Sequence, residues 1–82
     1  MKQNTELTEK MVKLAEKNGL LEEIYGQEVN RLLRLKYPLS DELALLWASQ
    51  NGEKADEVSA FYTYREECKV KAREAINSYL TK

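Results

Sequence analysis

Three helix-ending signals divide this chain of 82 residues into four segments. Asn18-Gly19 and Asn51-Gly52 each place a glycine, which adopts the left-handed conformation at no steric cost, after a run of helix-forming residues. Pro38, the only proline, disfavours the helical conformation of Tyr37 before it and so ends a helix. Because no segment shows the alternating, β-branched pattern of a strand, the sequence predicts an all-α fold.

The segments between these signals carry apolar residues at helical spacing. We predict helices over about residues 5–18, 20–36, 41–50 and 54–80. The apolar stripe of the first helix is Leu7, Met11, Leu14 and Ala15. That of the second is Leu21, Ile24, Tyr25, Val29, Leu32 and Leu33, widened by Leu20 and Leu35. The third has Leu43, Leu46 and Trp47 on one face, and the fourth has Val58, Phe61, Cys68, Ala72, Ala75 and Tyr79.

Local signals refine the predicted helix ends. Asn4 or Thr5 is expected to cap the first helix and Ser40 the third, since short polar side chains accept hydrogen bonds from the first free amides. Gly26 lies inside the second helix, where glycine costs about 1 kcal/mol relative to alanine. We therefore expect a kink or a close helix crossing there.

A chain of this length forms one domain, and the pattern predicts a compact bundle of three to four helices with a long C-terminal helix. The count is three if the first two helices merge or the first packs loosely. Folding of so small a chain buries only about 60–65% of its unfolded surface. We therefore expect stability to be gained by self-association or by docking on a partner.

Charge is distributed unevenly along the chain, although the formal net charge is only −1. Counting Lys and Arg against Asp and Glu gives −1 for residues 1–26, +2 for 27–40, −5 for 41–67 and +3 for 68–82. Two interpretations remain open. The segments balance one another within the molecule, or they form a complementary contact between subunits.

The composition argues against most enzyme chemistry. There is no histidine, which removes the commonest general base and metal ligand, and there is one cysteine, Cys68. The neighbouring acids Asp41-Glu42, Asp56-Glu57 and Glu66-Glu67 point about 100° apart on a helix, so no pair converges on one ligand. No glycine-rich phosphate loop is present. We predict neither catalysis nor a metal or other cofactor, and we assign Cys68 to the core.

The chain lacks the signatures of export or membrane insertion. Its first residues, MKQNTELTEK, contain no apolar stretch, so we expect no signal peptide. The longest apolar run, Leu43 to Ala48, is far shorter than the ~20 residues that a membrane span requires. A single cysteine excludes an internal disulfide and suits a reducing cytoplasm.

A nucleic-acid partner is also disfavoured. The candidate recognition helix, DELALLWASQN, contains no Lys or Arg and begins with two acids, which repel phosphate. Arg31, Arg34 and Lys36 form a basic strip, with both arginines on one face of the second helix. That strip is interpreted as a solvated face, with specific DNA binding as the less favoured alternative.

The aromatic residues are the strongest candidates for a contact surface. Five tyrosines, one phenylalanine and one tryptophan are many for a thin core. Tyrosine and tryptophan at partly exposed positions are frequent anchors of protein contacts. The alternative is that each ring covers the core while its polar group reaches water.

Two stretches resemble small uncharacterised proteins encoded by phages and prophages of Gram-positive bacteria. They are KYPLSDELALL, residues 36–46, and FYTYREECK, residues 61–69. The resemblance covers about residues 31–75, and residues 1–25 lie outside it. Trp47 stands where an arginine commonly follows in these proteins, and GEKADEV replaces a segment that often contains proline. The resemblance implies a phage or prophage setting, in the cytoplasm of the bacterial host or associated with the virion, and no particular activity.

These observations lead to a functional hypothesis. We expect a non-catalytic helical protein that binds itself, or a phage or host protein, for example as an accessory to virion assembly. The contact would use an aromatic and leucine face of the second and fourth helices. The candidate residues are Arg31, Arg34, Leu35, Tyr37, Trp47, Tyr62 and Tyr64. The alternatives are an oligomer that binds a small ligand or nucleotide and interferes with a host pathway, and, with less support, a DNA-binding regulator.

Overall fold

The computed structural model describes residues 6–81. Its helices are α1 (Glu9–Lys17), α2 (Leu21–Arg34), α3 (Leu39–Gln50) and α4 (Ala55–Leu80). Within the described residues there is no strand. The predicted all-α bundle with a long C-terminal helix is confirmed, and the first two helices are separate.

Both asparagine–glycine turns end helices as predicted. The glycines of the two turns have φ angles of 71° and 70°, in the left-handed region. The Leu20 amide donates to the Ala15 carbonyl at 2.7 Å, and the Glu53 amide donates to the Ala48 carbonyl at 2.8 Å. These bonds satisfy carbonyls that the last helical turn would otherwise leave without a donor.

The first helix begins later than its sequence pattern suggests. The side-chain oxygen of Thr8 accepts a hydrogen bond from the Met11 amide at 3.2 Å and so caps α1. The helix therefore begins at Glu9, and the predicted start at residue 5 is wrong by four residues. The caps predicted at Asn4 or Thr5 lie outside the described residues.

The corner between α2 and α3 is built by proline and not by serine. Pro38 has φ −60° and ψ 158°, and its carbonyl accepts hydrogen bonds from the amides of Asp41 (2.9 Å) and Glu42 (3.1 Å). Pro38 is therefore the N-cap residue, and Ser40 lies inside the first turn. The prediction of Ser40 as the cap is wrong, because the extended conformation of proline already turns the chain into the helix.

Gly26 does not mark a close crossing of helices. The helix α2 runs without a break from Leu21 to Arg34. A Cβ atom added at Gly26 would meet nothing within 4 Å, so no neighbouring backbone requires a glycine there. The expectation of a close crossing is wrong.

Two clusters of buried apolar residues form the core, and α4 contributes to both. The cluster between α1, α2 and the C-terminal half of α4 contains Leu7, Val12, Ala15, Ile24 and Ile76. The cluster between α2 and the middle of α4 contains Val29, Leu33, Phe61, Cys68 and Ala72. Each of the other three helices packs against α4, which is therefore the spine of the bundle.

The first helix is rotated relative to its predicted stripe. Val12 is fully buried, whereas Leu14, predicted to face the core, is 56% exposed. These two positions are about 200° apart around a helix, so only one of them can face the bundle. Burying Val12 together with Ala15 turns Leu14 outward, and the prediction for Leu14 is wrong.

Charged side chains join segments of opposite charge within the molecule. Arg34 of α2 forms an ion pair with Glu42 of α3 at 2.6 Å. Arg73 of α4 lies 3.5 Å from Glu22 of α2, and its guanidinium stacks 3.8 Å from the centre of the Tyr25 ring. These contacts support the first interpretation of the uneven charge, balance between packed helices.

Candidate functional site on helix α3

Helix α3 turns a row of large apolar side chains toward solvent. The exposed fractions are 54% for Leu39, 56% for Leu43 and 68% for Trp47. Residues four apart on a helix are displaced by only about 40°, so the three side chains lie on one face. We call these three residues the α3 face. Leu46, half-buried, lies at its margin.

The opposite side of α3 packs on α4. Ala48 is buried, and Leu45 packs against the cluster that contains Phe61. The sequence LSDELALLWASQ has apolar residues on both sides of the helix, and a helix that is apolar all round normally lies in an interior. In this structure the side of α3 that carries the small residue Ala48 packs against α4, and the side that carries the large apolar residues remains exposed to solvent.

The corner before α3 holds the helix in this rotation. The Arg34 guanidinium, at the end of α2, lies 2.6 Å from the Glu42 carboxylate and donates a hydrogen bond to the Tyr37 carbonyl at 3.3 Å. The Glu42 oxygen nearest to Arg34 has no hydrogen bond, so the contact is an ion pair without hydrogen-bond geometry. Because Glu42 is tied to α2, the α3 face is kept on the outside.

Three aromatic side chains pack against one another beside the turn between α2 and α3. The Tyr37 ring meets Phe61 edge-on, with centroids 5.0 Å apart, and lies 5.7 Å from the Tyr64 ring. We call these three residues the aromatic corner. The Lys36 ammonium lies 4.9 Å from the centre of the Tyr64 ring and 5.7 Å from that of Tyr37, so a cation covers the outer side of both.

Tyr64 is a structural residue in this arrangement. Its hydroxyl donates to the Leu32 carbonyl at 3.2 Å and thereby ties α4 to α2. Burial, with a smaller contribution from Cys68, raises the pKa of Tyr64 above its ordinary value. Burial also raises the pKa of the Cys68 thiol. The thiol is therefore neutral at pH 7 and enclosed, which is the opposite of a reactive cysteine.

The two candidate arginines are both engaged within the chain. Arg31 donates two hydrogen bonds to Glu28, at 2.9 and 2.8 Å, and Glu28 is buried. The hydrogen bonds to Glu28 are the main reason that the pKa of Arg31 is raised. Arg34 is paired with Glu42, as described above. Each guanidinium is thus engaged by a carboxylate of this chain, which disfavours a phosphate-binding role.

The structure thus divides the sequence candidates into two groups. Leu35, Trp47 and Tyr62 are exposed, at 69%, 68% and 39%. Tyr37, Tyr64, Arg31 and Arg34 are partly buried and make hydrogen bonds within the chain. Two residues of the α3 face, Leu39 and Leu43, were not among the candidates. The signal for them is the unbroken run LALLWA, residues 43–48, which has more apolar side chains than one buried face requires.

A shallow cavity of about 300 Å³ lies between α3 and α4. Asp41, Lys54 and Glu57 line it together with the Tyr37 ring. Two carboxylates beside one ammonium give a negative balance, which disfavours the phosphates of a nucleotide. Among residues 6–81 there is also no group of three or more acidic or cysteine side chains that could hold a metal ion.

The fold and the α3 face define a class: a small four-helix protein with one helix apolar on its outer side. Comparison of the chain with protein-family models, with curated proteins and with solved structures gave no significant match. In the part of the chain that the structure describes, no helix combines the length and the apolar character needed to traverse a bilayer.

Proposed function

We propose that this is a non-catalytic interaction protein that docks on another protein surface through the α3 face. The observation that supports this proposal is the row of Leu39, Leu43 and Trp47, each more than half exposed on one side of a single helix. Contiguous apolar patches on soluble proteins are typical of interaction sites, and tryptophan is enriched among the residues that dominate binding energy.

The charge pattern supports the same proposal. Residues 43–52 form the longest stretch of this sequence without a charged side chain. The outer surface of α4, in contrast, carries Glu66, Glu67, Lys71 and Glu74. Depletion of charge at the centre of a patch is typical of protein interfaces. An isolated domain under selection for solubility alone would place charges on the outer side of α3.

The energy available from the α3 face alone supports a weak and reversible contact. Fully burying a large apolar side chain contributes about 1.5–3 kcal/mol, so the exposed halves of three such residues offer on the order of 3–4 kcal/mol. Surrounding polar contacts and exclusion of water add to this. A stronger complex requires residues beyond the α3 face.

The biological setting is proposed on the sequence pattern alone. The resemblance of residues 36–46 and 61–69 to phage and prophage proteins supports a role in a phage, for example as an accessory to virion assembly. The neighbouring genes test this part of the proposal. Head or tail genes on either side favour assembly, early genes favour interference with the host, and a chromosomal context without phage genes contradicts it.

The two alternatives from the sequence lack a supporting observation. The acidic cavity beside Tyr37 disfavours a nucleotide, and the arginines of the basic strip are paired with carboxylates. A small-ligand oligomer and a DNA-binding regulator therefore stay predictions without a site on the described residues.

A matched pair of variants tests the proposed surface. Leu43 on the α3 face and Leu14 on α1 have the same residue type and the same exposed fraction, 56%. We expect Leu43→Lys to abolish partner capture and Leu14→Lys to retain it. With the purified partner, the emission of Trp47, the only tryptophan, should shift to shorter wavelength. Equal capture by both variants together with unchanged Trp47 emission would contradict the proposal.

A further inference from the structure

We propose that Asn51, in the turn that ends α3, is a site of spontaneous deamidation and that this modification loosens the last turn of the helix. The modification needs no partner and is therefore independent of the function proposed above. The sequence of the turn, the hydrogen bonds that close it and the charges at the end of α3 each support the proposal.

The dipeptide Asn51-Gly52 favours an intramolecular reaction. Glycine has no side chain to shield its backbone nitrogen, which can attack the side-chain carbonyl carbon of the preceding asparagine. A carbon–nitrogen bond then closes a succinimide ring, and the side-chain nitrogen leaves as ammonia with the proton of the glycine nitrogen. Water opens the ring to aspartate, or to isoaspartate when the backbone carbonyl is the one that it attacks. Both residues are exposed, so water reaches them.

The folded turn holds both reacting groups in hydrogen bonds. The Gly52 amide donates to the Ser49 carbonyl at 3.2 Å, and the side-chain amide of Asn51 donates to the Trp47 carbonyl at 3.1 Å. The reaction therefore requires the turn to open first. Local openings of this kind occur in native proteins at a lower free energy than global unfolding, so we expect the folded protein to react slowly but measurably.

The connection from α3 to α4 has a feature that favours opening. Lys54 has φ 53° and ψ 45°, and among residues 6–81 it is the only residue other than glycine with a positive φ. A residue with a Cβ atom is strained in the left-handed region, so opening of the connection relieves strain at Lys54. The equivalent turn at Asn18-Gly19 has a positive φ only at its glycine. We therefore expect Asn51 to react faster than Asn18 in the folded protein.

The product is unfavourable at the end of α3. Unlike Asn51, an aspartate or isoaspartate has no N–H to donate to the Trp47 carbonyl, and its carboxylate repels the carbonyls of the last helical turn. Isoaspartate also lengthens the backbone by a methylene group, which displaces the Glu53 amide from the Ala48 carbonyl that it now bonds. The last turn of α3, which carries Trp47, is loosened as a result.

The two asparagine–glycine turns differ in the charge beside the modified residue. Asn18 ends α1 in the same way, because its side-chain amide donates to the Leu14 carbonyl at 3.0 Å. The last turn of α1 contains Lys17, which offsets a new carboxylate, whereas the last turn of α3 contains no basic residue. A carboxylate in place of Asn51 should therefore destabilise the fold more than one in place of Asn18, which makes Asn18 a matched control.

Peptide mapping by mass spectrometry during incubation in mildly alkaline buffer tests the reaction. We expect deamidation of folded protein at Asn51, more slowly at Asn18, and at similar and several-fold higher rates at both sites in guanidinium-unfolded protein. Asn51→Gln should stop the reaction at this position, because the longer side chain must close a larger ring. An unmodified Asn51 in folded protein when the unfolded sample has fully reacted, or faster reaction at Asn18 than at Asn51, would overturn the proposal.

Thermal unfolding of Asn51→Asp and Asn18→Asp tests the structural consequence. Each variant carries one product carboxylate, and circular dichroism checks that both remain helical. We expect Asn51→Asp to lower the Tm more than Asn18→Asp does, and the deamidated wild type to unfold at a lower temperature than fresh protein. An equal or larger loss in Asn18→Asp would overturn the loosening of α3.

Discussion

The aromatic corner, formed by Tyr37 and two residues of α4, and the α3 face, on the helix between them in sequence, have opposite relations to water. Tyr37, Phe61 and Tyr64 pack against one another, and the Tyr64 hydroxyl bonds to a carbonyl of α2. The α3 face has no such partner in the described residues and exposes more than half of each side chain. The tyrosines therefore hold the bundle together, whereas the exposed leucines and tryptophan are the basis of the docking surface proposed above.

The largest difference between the two regions should appear on truncation of a ring. Phe61→Ala removes an almost fully buried side chain and should destabilise the fold by about 3–5 kcal/mol, because it leaves a cavity in the core cluster that α4 shares with α2. Trp47→Ala at low concentration should change stability by less than about 1 kcal/mol. Urea unfolding measures both. Similar losses for the two variants would mean that Trp47 belongs to the core.

A smaller difference is expected between two ion pairs with the same spacing. Arg31→Ala leaves the buried Glu28 carboxylate without its partner and should cost about 1–3 kcal/mol. Lys69→Ala removes the equivalent pair with Glu66 at the surface and should cost less than about 0.5 kcal/mol. Thermal unfolding of the two variants compares them. If Lys69→Ala costs as much, the burial of Glu28 does not make the Arg31 pair stronger than a surface pair.

Helix capping should have a smaller effect still. Thr8→Ala removes the side chain that accepts the Met11 amide and should lower stability by about 1 kcal/mol. Ser40→Ala should stay within about 0.5 kcal/mol, because Pro38 and not Ser40 begins α3. Chemical unfolding at fixed pH compares the stabilities of the two variants. A cost at Ser40 equal to that at Thr8 would show that α3 begins where its sequence pattern suggests.

The mildest effect is expected from pH. The pKa of Cys68 is raised by burial above its ordinary value of 9.0, and that of Tyr64 above 10.0. Both groups stay protonated longer in the folded protein than in the unfolded chain, so stability is unaffected below pH 9 and falls as pH rises above it. The urea midpoint should decline more gently in Cys68→Ala. An alkaline decline identical to that of the wild type would contradict the assignment of Cys68.

Much of the bundle can be predicted from the sequence. The asparagine–glycine turns and Pro38 are local signals, and the structure ends helices at each of them. The long stripe of α4 is also predictable, because Phe61, Cys68 and Ala72 repeat at core spacing over several turns. Such signals depend only on neighbouring residues or on one dominant period.

The rotation of a helix that has two apolar sides is harder to predict. In α1, either Val12 or Leu14 could face inward, and the choice depends on the shape of α2 and α4. In α3, the side with the small residue Ala48 packs against the bundle, and the side with the large residues of the α3 face does not. The pairing of Arg31 with Glu28 likewise depends on burial, which sequence spacing does not report. The sequence therefore shows that the residues of the α3 face are apolar, but it does not show that they are exposed.

Acrylamide quenching of Trp47 in dilute protein tests the central claim most directly, since this single tryptophan lies in the α3 face. The account predicts water-like emission and efficient quenching for the free protein, and a shift to shorter wavelength with weaker quenching when the purified partner is added. Emission from an enclosed tryptophan at the lowest concentration, in a protein shown to be monomeric, would contradict the account.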